Sequence, residues 1–231
     1  MNATRCGRTI ARLLGAAVIT ASALLSVPID IPRASADPCP DVEVVFARGT
    51  DDPAGLGKVG QAFVDSLRSQ VGTKTVAVYP VNYPASNDYP TAAVGVIDAS
   101  RHVESTAANC PGTRMVLGGY SQGAAVIGYI TADAIPAGYT PPAGITGPMP
   151  PEVTDHVAAV ALIARPSSAF LTGVNAPPIV IGHLYTAKTI DVCNPDDPIC
   201  SPDGNNVFTH IMYASNGMVN QAADFAARRL L

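Results

Sequence analysis

Tryptophan is missing from this 231-residue chain, aromatic residues make up only 6% of it, and charged residues only 14%. With so few rings, a core has to be built from Val, Ala, Ile and Leu. With 48% hydrophobic residues the chain is far too apolar for disorder, and its length suits one full domain rather than two. No basic patch is present, which excludes nucleic acid as a partner. No internal repeat is visible, so solenoid and array architectures drop out. Paired C-x-x-C spacings are also missing, and no His lies near a Cys, which argues against a zinc site.

The chain has one long apolar run, residues 13–27, behind Arg5, Arg8 and Arg12 and ahead of the small residues Ala34-Ser35-Ala36. That order is the pattern of a secretory signal peptide, expected over residues 1–36, with a mature domain over 37–231. The run is shorter than the ~20 residues a membrane span needs, so no transmembrane anchor is expected after cleavage. The leader carries Arg5, Arg8, Arg12 and Arg33 against Asp30. The mature chain therefore keeps 14 − 4 = 10 basic and 18 − 1 = 17 acidic residues, a formal charge of −7. Such a charge gives no steering toward anionic membranes. Cys6 leaves with the leader. Cys39, Cys110, Cys193 and Cys200 remain, an even number in an oxidising compartment, which reads as two disulfides with three possible connectivities. Expected localisation is extracellular, with the cell wall as a further address, and the expected state is a monomer.

The 21 prolines and 20 glycines punctuate short elements. Residues 42–47, 75–80, 114–118, 157–164 and 184–192 are rich in Val, Ile, Leu and Ala, as strands buried on both faces should be. Residues 60–71, 92–108, 122–135 and 215–230 have helical character. The alternation predicts an α/β fold with a doubly wound, mostly parallel five-stranded sheet. Residues 136–151, dense in Pro and Gly, read as a loop. No insertion is long enough to form a lid domain.

Gly119-Tyr120-Ser121-Gln122-Gly123 is the sharpest motif. It lies between an apolar strand and a small-residue helix, the context that a G-x-S-x-G nucleophile elbow requires. Glycines flank the serine because side chains there would strike the neighbouring strand and helix. The opening helix also directs free N–H groups and a positive dipole end at the reaction centre. A serine nucleophile needs a base, and the base needs an orienting acid. In elbow-type hydrolases the chain order is Ser, acid, His. His102 precedes the serine in a helix and reads as solvated, while His156 and His183 border strands ahead of the acid candidates. Only His210 follows them all. Asp191, Asp196, Asp197 and Asp203 compete for the acid. Asp191 falls in a strand end and Asp203 in a Pro-Asp-Gly turn, leaving Asp196 and Asp197, between which order and rigidity do not choose.

Several segments together resemble the cutinase family, in particular its secreted mycobacterial type. These are Cys39, Phe46-Ala47-Arg48-Gly49-Thr50, Cys110, the elbow, the run from Cys193 through Asn194-Pro195-Asp196-Asp197-Pro198-Ile199 to Cys200, and His210. The resemblance implies a lidless α/β-hydrolase and a serine esterase with Ser121, Asp197 and His210 as its triad. It also implies Thr50 and Gln122 as backbone donors of the oxyanion hole, and the pairings Cys39–Cys110 and Cys193–Cys200. It further implies an ester substrate, lipid or polymer, of short to medium chain, and since a triad with two backbone donors suffices for acyl transfer, no metal or organic cofactor is expected. Loops 83–90 and 177–183 are expected to border the acyl pocket. The sequence departs from the family at Ala164-Arg165-Pro166, where related chains carry Gly-Asn-Pro, so a charge is expected near the site rim. Two rival readings exist. One is a nucleotide site at Gly55-x-Gly57-x-x-Gly60, which starts too far from its strand. The other is a secreted surface protein that keeps the fold without catalysis.

Overall fold

In a computed structural model the described residues are 39–231. The expected leader, residues 1–36, lies outside them. Five strands form one sheet: β1 (Val42–Ala47), β2 (Val76–Pro80), β3 (Arg114–Tyr120), β4 (Val157–Ile163) and β5 (Thr189–Val192). They lie in the order β2-β1-β3-β4-β5, and every pairing is parallel.

The period of two along β1 splits the core between the two faces of the sheet. Val42, Val44 and Phe46 join one cluster with α1 (Gly57–Arg68) and α7 (Met218–Ala227). Val45 and Ala47 join the other with α2 (Ala92–Asn109) and α3 (Gln122–Ile130). Every residue of β4 is buried, so a run of Val, Ala, Leu and Ile without polar alternation is what that position demands. Gly60, the last glycine of the nucleotide-like motif, has a packing role: a β-carbon there would lie 2.6 Å from the Phe46 ring.

Three shorter α-helices, α4 (Ser168–Gly173), α5 (His183–Thr186) and α6 (Val207–His210), and two 3-10 turns, Tyr89–Thr91 and Pro151–His156, complete the described residues. Here the structure corrects the sequence reading. Of residues 184–192 only the last four pair with β4, from Thr189 opposite Val160 to Val192 opposite Ile163. The preceding turn is helical because Asp133 accepts the His183 N–H at 2.8 Å and Gly182 O accepts that of Thr186. The helix expected over 122–135 stops at Ile130. Beyond it the Thr131 hydroxyl bonds back to Ile127 O and Gly128 O, and the chain turns off toward Pro136. α7 begins only after Gly217, whose φ of 88° is a glycine conformation that a helix cannot contain. Nor is His102 solvated. It is half-buried, stacked on Tyr79 with ring centroids 3.4 Å apart, and its Nε2 lies 3.0 Å from Glu43.

Both disulfides are formed, Cys39 with Cys110 and Cys193 with Cys200. In this strand order β1 and β3 are neighbours whose connections leave on opposite sides, so a crevice opens at their carboxyl ends. Thr50 follows β1 there, and Ser121 follows β3.

Candidate active site

The elbow is built by steric exclusion. Ser121 has φ 54° and ψ −119°, a conformation that is costly for a residue with a β-carbon. Its N–H donates to Ile163 O at 2.9 Å and its carbonyl accepts from Ala125, which anchors the turn to β4 and α3. A β-carbon on Gly119 would collide with Gly123 O, and one on Gly123 with the carbonyls of Ala47 and Arg48. Only glycine lets strand, turn and helix approach this closely.

Ser121 is 4% exposed. Its Oγ lies 2.9 Å from His210 Nε2, and His210 Nδ1 lies 2.8 Å from Asp197 Oδ2. Three residues far apart in sequence thus form one continuous chain. Asp197 is fully buried, and the hydrogen bonds it accepts favour the ionised form. Oδ1 accepts the Ile199 N–H at 2.9 Å, and Oδ2 accepts the Tyr213 hydroxyl at 2.9 Å. Burial pushes the carboxyl up, but the bond to His210, the Ile199 N–H, the His210 charge and the Tyr213 hydroxyl together hold it below its ordinary range. The small disulfide stands beside it, with Cys200 Sγ 3.4 Å from Oδ2.

The other acid candidates point elsewhere. Asp196 is exposed and contributes backbone only, its carbonyl accepting from Asn206. Asp191 pairs with Arg165 at 2.6 Å, so the arginine that departs from the family pattern is tied to the β5 edge. Asp203 is an exposed turn residue. His210 closes the helical turn α6 rather than sitting in a loop.

The loop after β1 is held by an arginine that sequence reasoning passed over. Arg48 is 6% exposed and donates to three carbonyls: Asp52 through Nε, and Tyr83 and Pro84 through Nη2. The Tyr83 hydroxyl returns a bond to Arg48 O. The N–H groups of Gly49, Asp51 and Asp52 are each bonded, to Asp52 Oδ2, Ala85 O and Gly49 O respectively. Among the described residues the Thr50 N–H has no acceptor. Gln122, the first residue of α3, likewise has no intrahelical acceptor for its N–H. Its side-chain amide donates to Ser86 O at 2.9 Å, joining α3 to the same 83–86 loop.

Tyr120 and Tyr213 were also missed. The Tyr120 hydroxyl donates to His210 O while its ring stacks on the imidazole at 5.2 Å. Tyr213 follows His210 by three residues and reaches both Asp197 and the Asn194 N–H. The spacing His-x-x-Tyr was the available signal. Around His210 the surface is apolar: Val207, Phe208 and Ile211 are each at least 60% exposed. Among the described residues no cluster of three His, Cys, Asp or Glu is placed to hold a metal.

This arrangement can activate a hydroxyl. The family model described as cutinase matches residues 38–230. The chain belongs to the cutinase family. It is an ester hydrolase of the α/β type. The carboxylesterase Culp1 of Mycobacterium tuberculosis is 52% identical over 227 residues, 96% of this chain and 97% of the relative. The phospholipase Culp4 of the same organism is 50% identical over 94% of this chain and 90% of its own. Among solved structures, Trichoderma reesei cutinase bound to a phosphonate inhibitor superposes with a TM-score of 0.62 at 31% identity. That match covers 84% of this chain and 78% of the other. An acetyl xylan esterase superposes at 0.68 with 26% identity, covering 84% and 100%.

Proposed function

We propose that this enzyme hydrolyses carboxylic esters of short to medium acyl chain through an acyl-enzyme on Ser121. The observation that carries the reading is the unbroken Ser121–His210–Asp197 chain at 2.9 and 2.8 Å, ending on a carboxylate that solvent does not reach. His210 Nε2 takes the Ser121 proton as Oγ bonds to the substrate carbonyl carbon. The oxyanion that forms is met by the N–H groups of Thr50 and Gln122, donors typically worth ~10²–10³ each in rate. His210 then passes the proton to the departing alkoxide, and the alcohol leaves. Water enters and gives a proton to His210 while its oxygen attacks the acyl carbon; His210 then returns that proton to Ser121 Oγ as the acyl–oxygen bond breaks, and the acid leaves. Asp197 keeps one imidazole tautomer throughout, with Nε2 facing the serine.

The relatives named carboxylesterase and phospholipase support lipid-like esters as the substrate class, as does the exposed apolar surface on α6 beside His210. No cofactor takes part in any of these steps. We further propose that residues 1–36 are removed on export and that the mature enzyme works outside the cell as a monomer. The two disulfides suit an oxidising compartment, and among the described residues no helix is long and apolar enough to cross a membrane.

Hydrolysis of p-nitrophenyl butyrate, combined with labelling by an alkyl phosphonate, tests the mechanism. The label is expected on Ser121, and Ser121→Ala is expected to keep the fold and lose at least ~10³-fold in kcat. A label recovered on another residue, or an active Ser121→Ala, overturns the reading.

A further inference from the structure

The helical turn that carries His210 has no packing of its own to hold it. α6 buries none of its four residues, and Val207 and Phe208 within it, with Ile211 just beyond, are each at least 60% exposed. A segment without an apolar anchor opens easily unless hydrogen bonds fix it. Here the main chain is tied to the rest of the protein at both ends. At the start the Asn206 N–H donates to Asp196 O, and at the end the His210 carbonyl accepts the Tyr120 hydroxyl. Tyr120 is the residue just before Ser121, so the second tie runs from the neighbour of the nucleophile to the base.

The alternation along β3 turns Tyr120, like Val116, to the sheet face that packs on α7. The residue is only 8% exposed there, and its ring has three neighbours that matter to the site. It stacks on the His210 imidazole at 5.2 Å with 26° between the planes, and it tilts against the Tyr213 ring at 5.9 Å. It also meets the loop after β1, since a β-carbon on Gly49 would lie 2.6 Å from its Cδ1. Tyr213 in turn holds Asp197. One ring thus touches the loop of Thr50, the base, and the support of the acid. Burial, with the charges of Asp52 and Asp197, pushes the Tyr120 phenol up, so it stays a neutral donor.

We propose that Tyr120 is a positioning residue for ester hydrolysis: its hydroxyl fixes the main chain of His210 and its ring face fixes the imidazole plane, so that Nε2 stays aimed at Ser121. The inference rests on the Ser121–His210–Asp197 reading above and adds a second support to the imidazole. Asp197 sets the tautomer from the Nδ1 side, whereas Tyr120 sets where the imidazole stands. The stacked ring also favours the imidazolium that forms as Ser121 gives up its proton, because the electron-rich face of a phenol attracts a cation within about 6 Å. Tyr120 acts through His210, so it governs kcat rather than KM.

Tyr120→Phe keeps the ring and deletes the hydroxyl. With p-nitrophenyl butyrate it is expected to lower kcat about tenfold at unchanged KM, the loss that follows when a partly buried carbonyl is left without its donor. Tyr120→Leu, which removes the ring as well, should lose about fivefold more. Tyr79→Phe is the control: it deletes a tyrosine hydroxyl bonded to Asp98 on α2, away from the triad, and should leave kcat alone. Proton NMR of the resting enzyme reads the base without turnover. The His210 Nδ1 proton, shared with Asp197, should give a far-downfield resonance that His210→Gln lacks. That resonance should broaden in Tyr120→Phe and stay sharp in Tyr79→Phe. Wild-type kcat in Tyr120→Phe, or a loss matched in Tyr79→Phe, overturns the positioning role whatever the resonance does, and leaves the esterase standing. A rise in KM that accounts for the whole loss overturns it too. A resonance that Tyr120→Phe broadens, in a chain that hydrolyses no ester, supports the positioning of His210 and overturns the esterase reading.

Discussion

Two adjacent aspartates of identical chemistry have different surroundings, and the difference lies in what touches them. Asp197 receives the imidazole, a backbone N–H and the Tyr213 phenol, whereas Asp196 faces solvent. Asp197→Asn is therefore expected to lower kcat on the order of 10⁴-fold by disturbing the imidazole tautomer. Asp196→Asn should cost less than about tenfold, as a solvated group does. Steady-state kinetics of the two variants checks this, and the reverse order would remove Asp197 from the proposed triad. Tyr213→Phe is subtler. It leaves the Asn194 N–H and one lone pair of Asp197 unpaired in a dry site, a loss of ~1–3 kcal/mol. Its kcat should fall while KM holds, because the phenol touches the carboxylate and not the substrate-binding surface.

Among elements, the elbow and the β1 loop fit only by close approach. Gly123→Ala would drive a methyl into the carbonyls of Ala47 and Arg48, both main chain and unable to swing away. A destabilisation of at least ~3 kcal/mol is expected in urea unfolding, at the upper end of overpacking costs. Arg48 ties the β1 loop to loop 83–84 with a planar fork that reaches three carbonyls. Lysine has the charge but not the fork. Arg48→Lys is expected to loosen the Thr50 N–H and lower kcat on the order of tenfold, a fraction of what one oxyanion donor supplies. An unchanged kcat would show that the loop holds its shape without the clamp.

For the molecule as a whole, stability depends on covalent links and on paired carboxylates. Cys39–Cys110 spans a sequence separation of 71, worth roughly 4.4 kcal/mol by chain entropy, and Cys193–Cys200 spans 7, worth roughly 2.5 kcal/mol. Replacing the first pair by serine should lower Tm on the order of 10 °C. Replacing the second should reduce kcat more than its stability loss explains, since it stands against Asp197. Acid stability draws on several carboxylates lowered in the fold, Glu43 and Asp197 being the two shielded from solvent. Burial raises the Glu43 carboxyl, yet the bonds from His102 and Thr106 outweigh it and leave it lowered, as with Asp197. Carboxylates lowered in the fold contribute stability that is complete above their unfolded values of about 4 and is lost as pH falls through the depressed values. Tm should therefore drop steeply below about pH 4. Glu43→Gln should start from a lower Tm at neutral pH and lose less of it in acid; an undiminished acid slope would exclude Glu43 as a contributor.

Much of this protein could be read before any fold was seen, because the relevant signals are local. Strands buried on both faces reveal themselves by runs without polar alternation, as in β4, and the elbow by glycines that only a crowded turn needs. Chain order singled out His210, and the two disulfides formed as the family resemblance implied. Residues 184–192 misled because a short apolar run does not say whether its N–H groups meet a strand or, as at His183, a side chain on another element. The aspartates resisted for a related reason. Neighbours in an irregular loop share composition, charge and order, and only partners brought from elsewhere in the chain decide which is buried. The clamp of Arg48 and the Tyr120 and Tyr213 supports are likewise meetings of distant segments. Sequence alone determined the class of fold, the nucleophile motif and the order of its partners. Tertiary structure decided which carboxylate faces the imidazole and what holds it there, because burial belongs to the packed whole rather than to any one stretch of it.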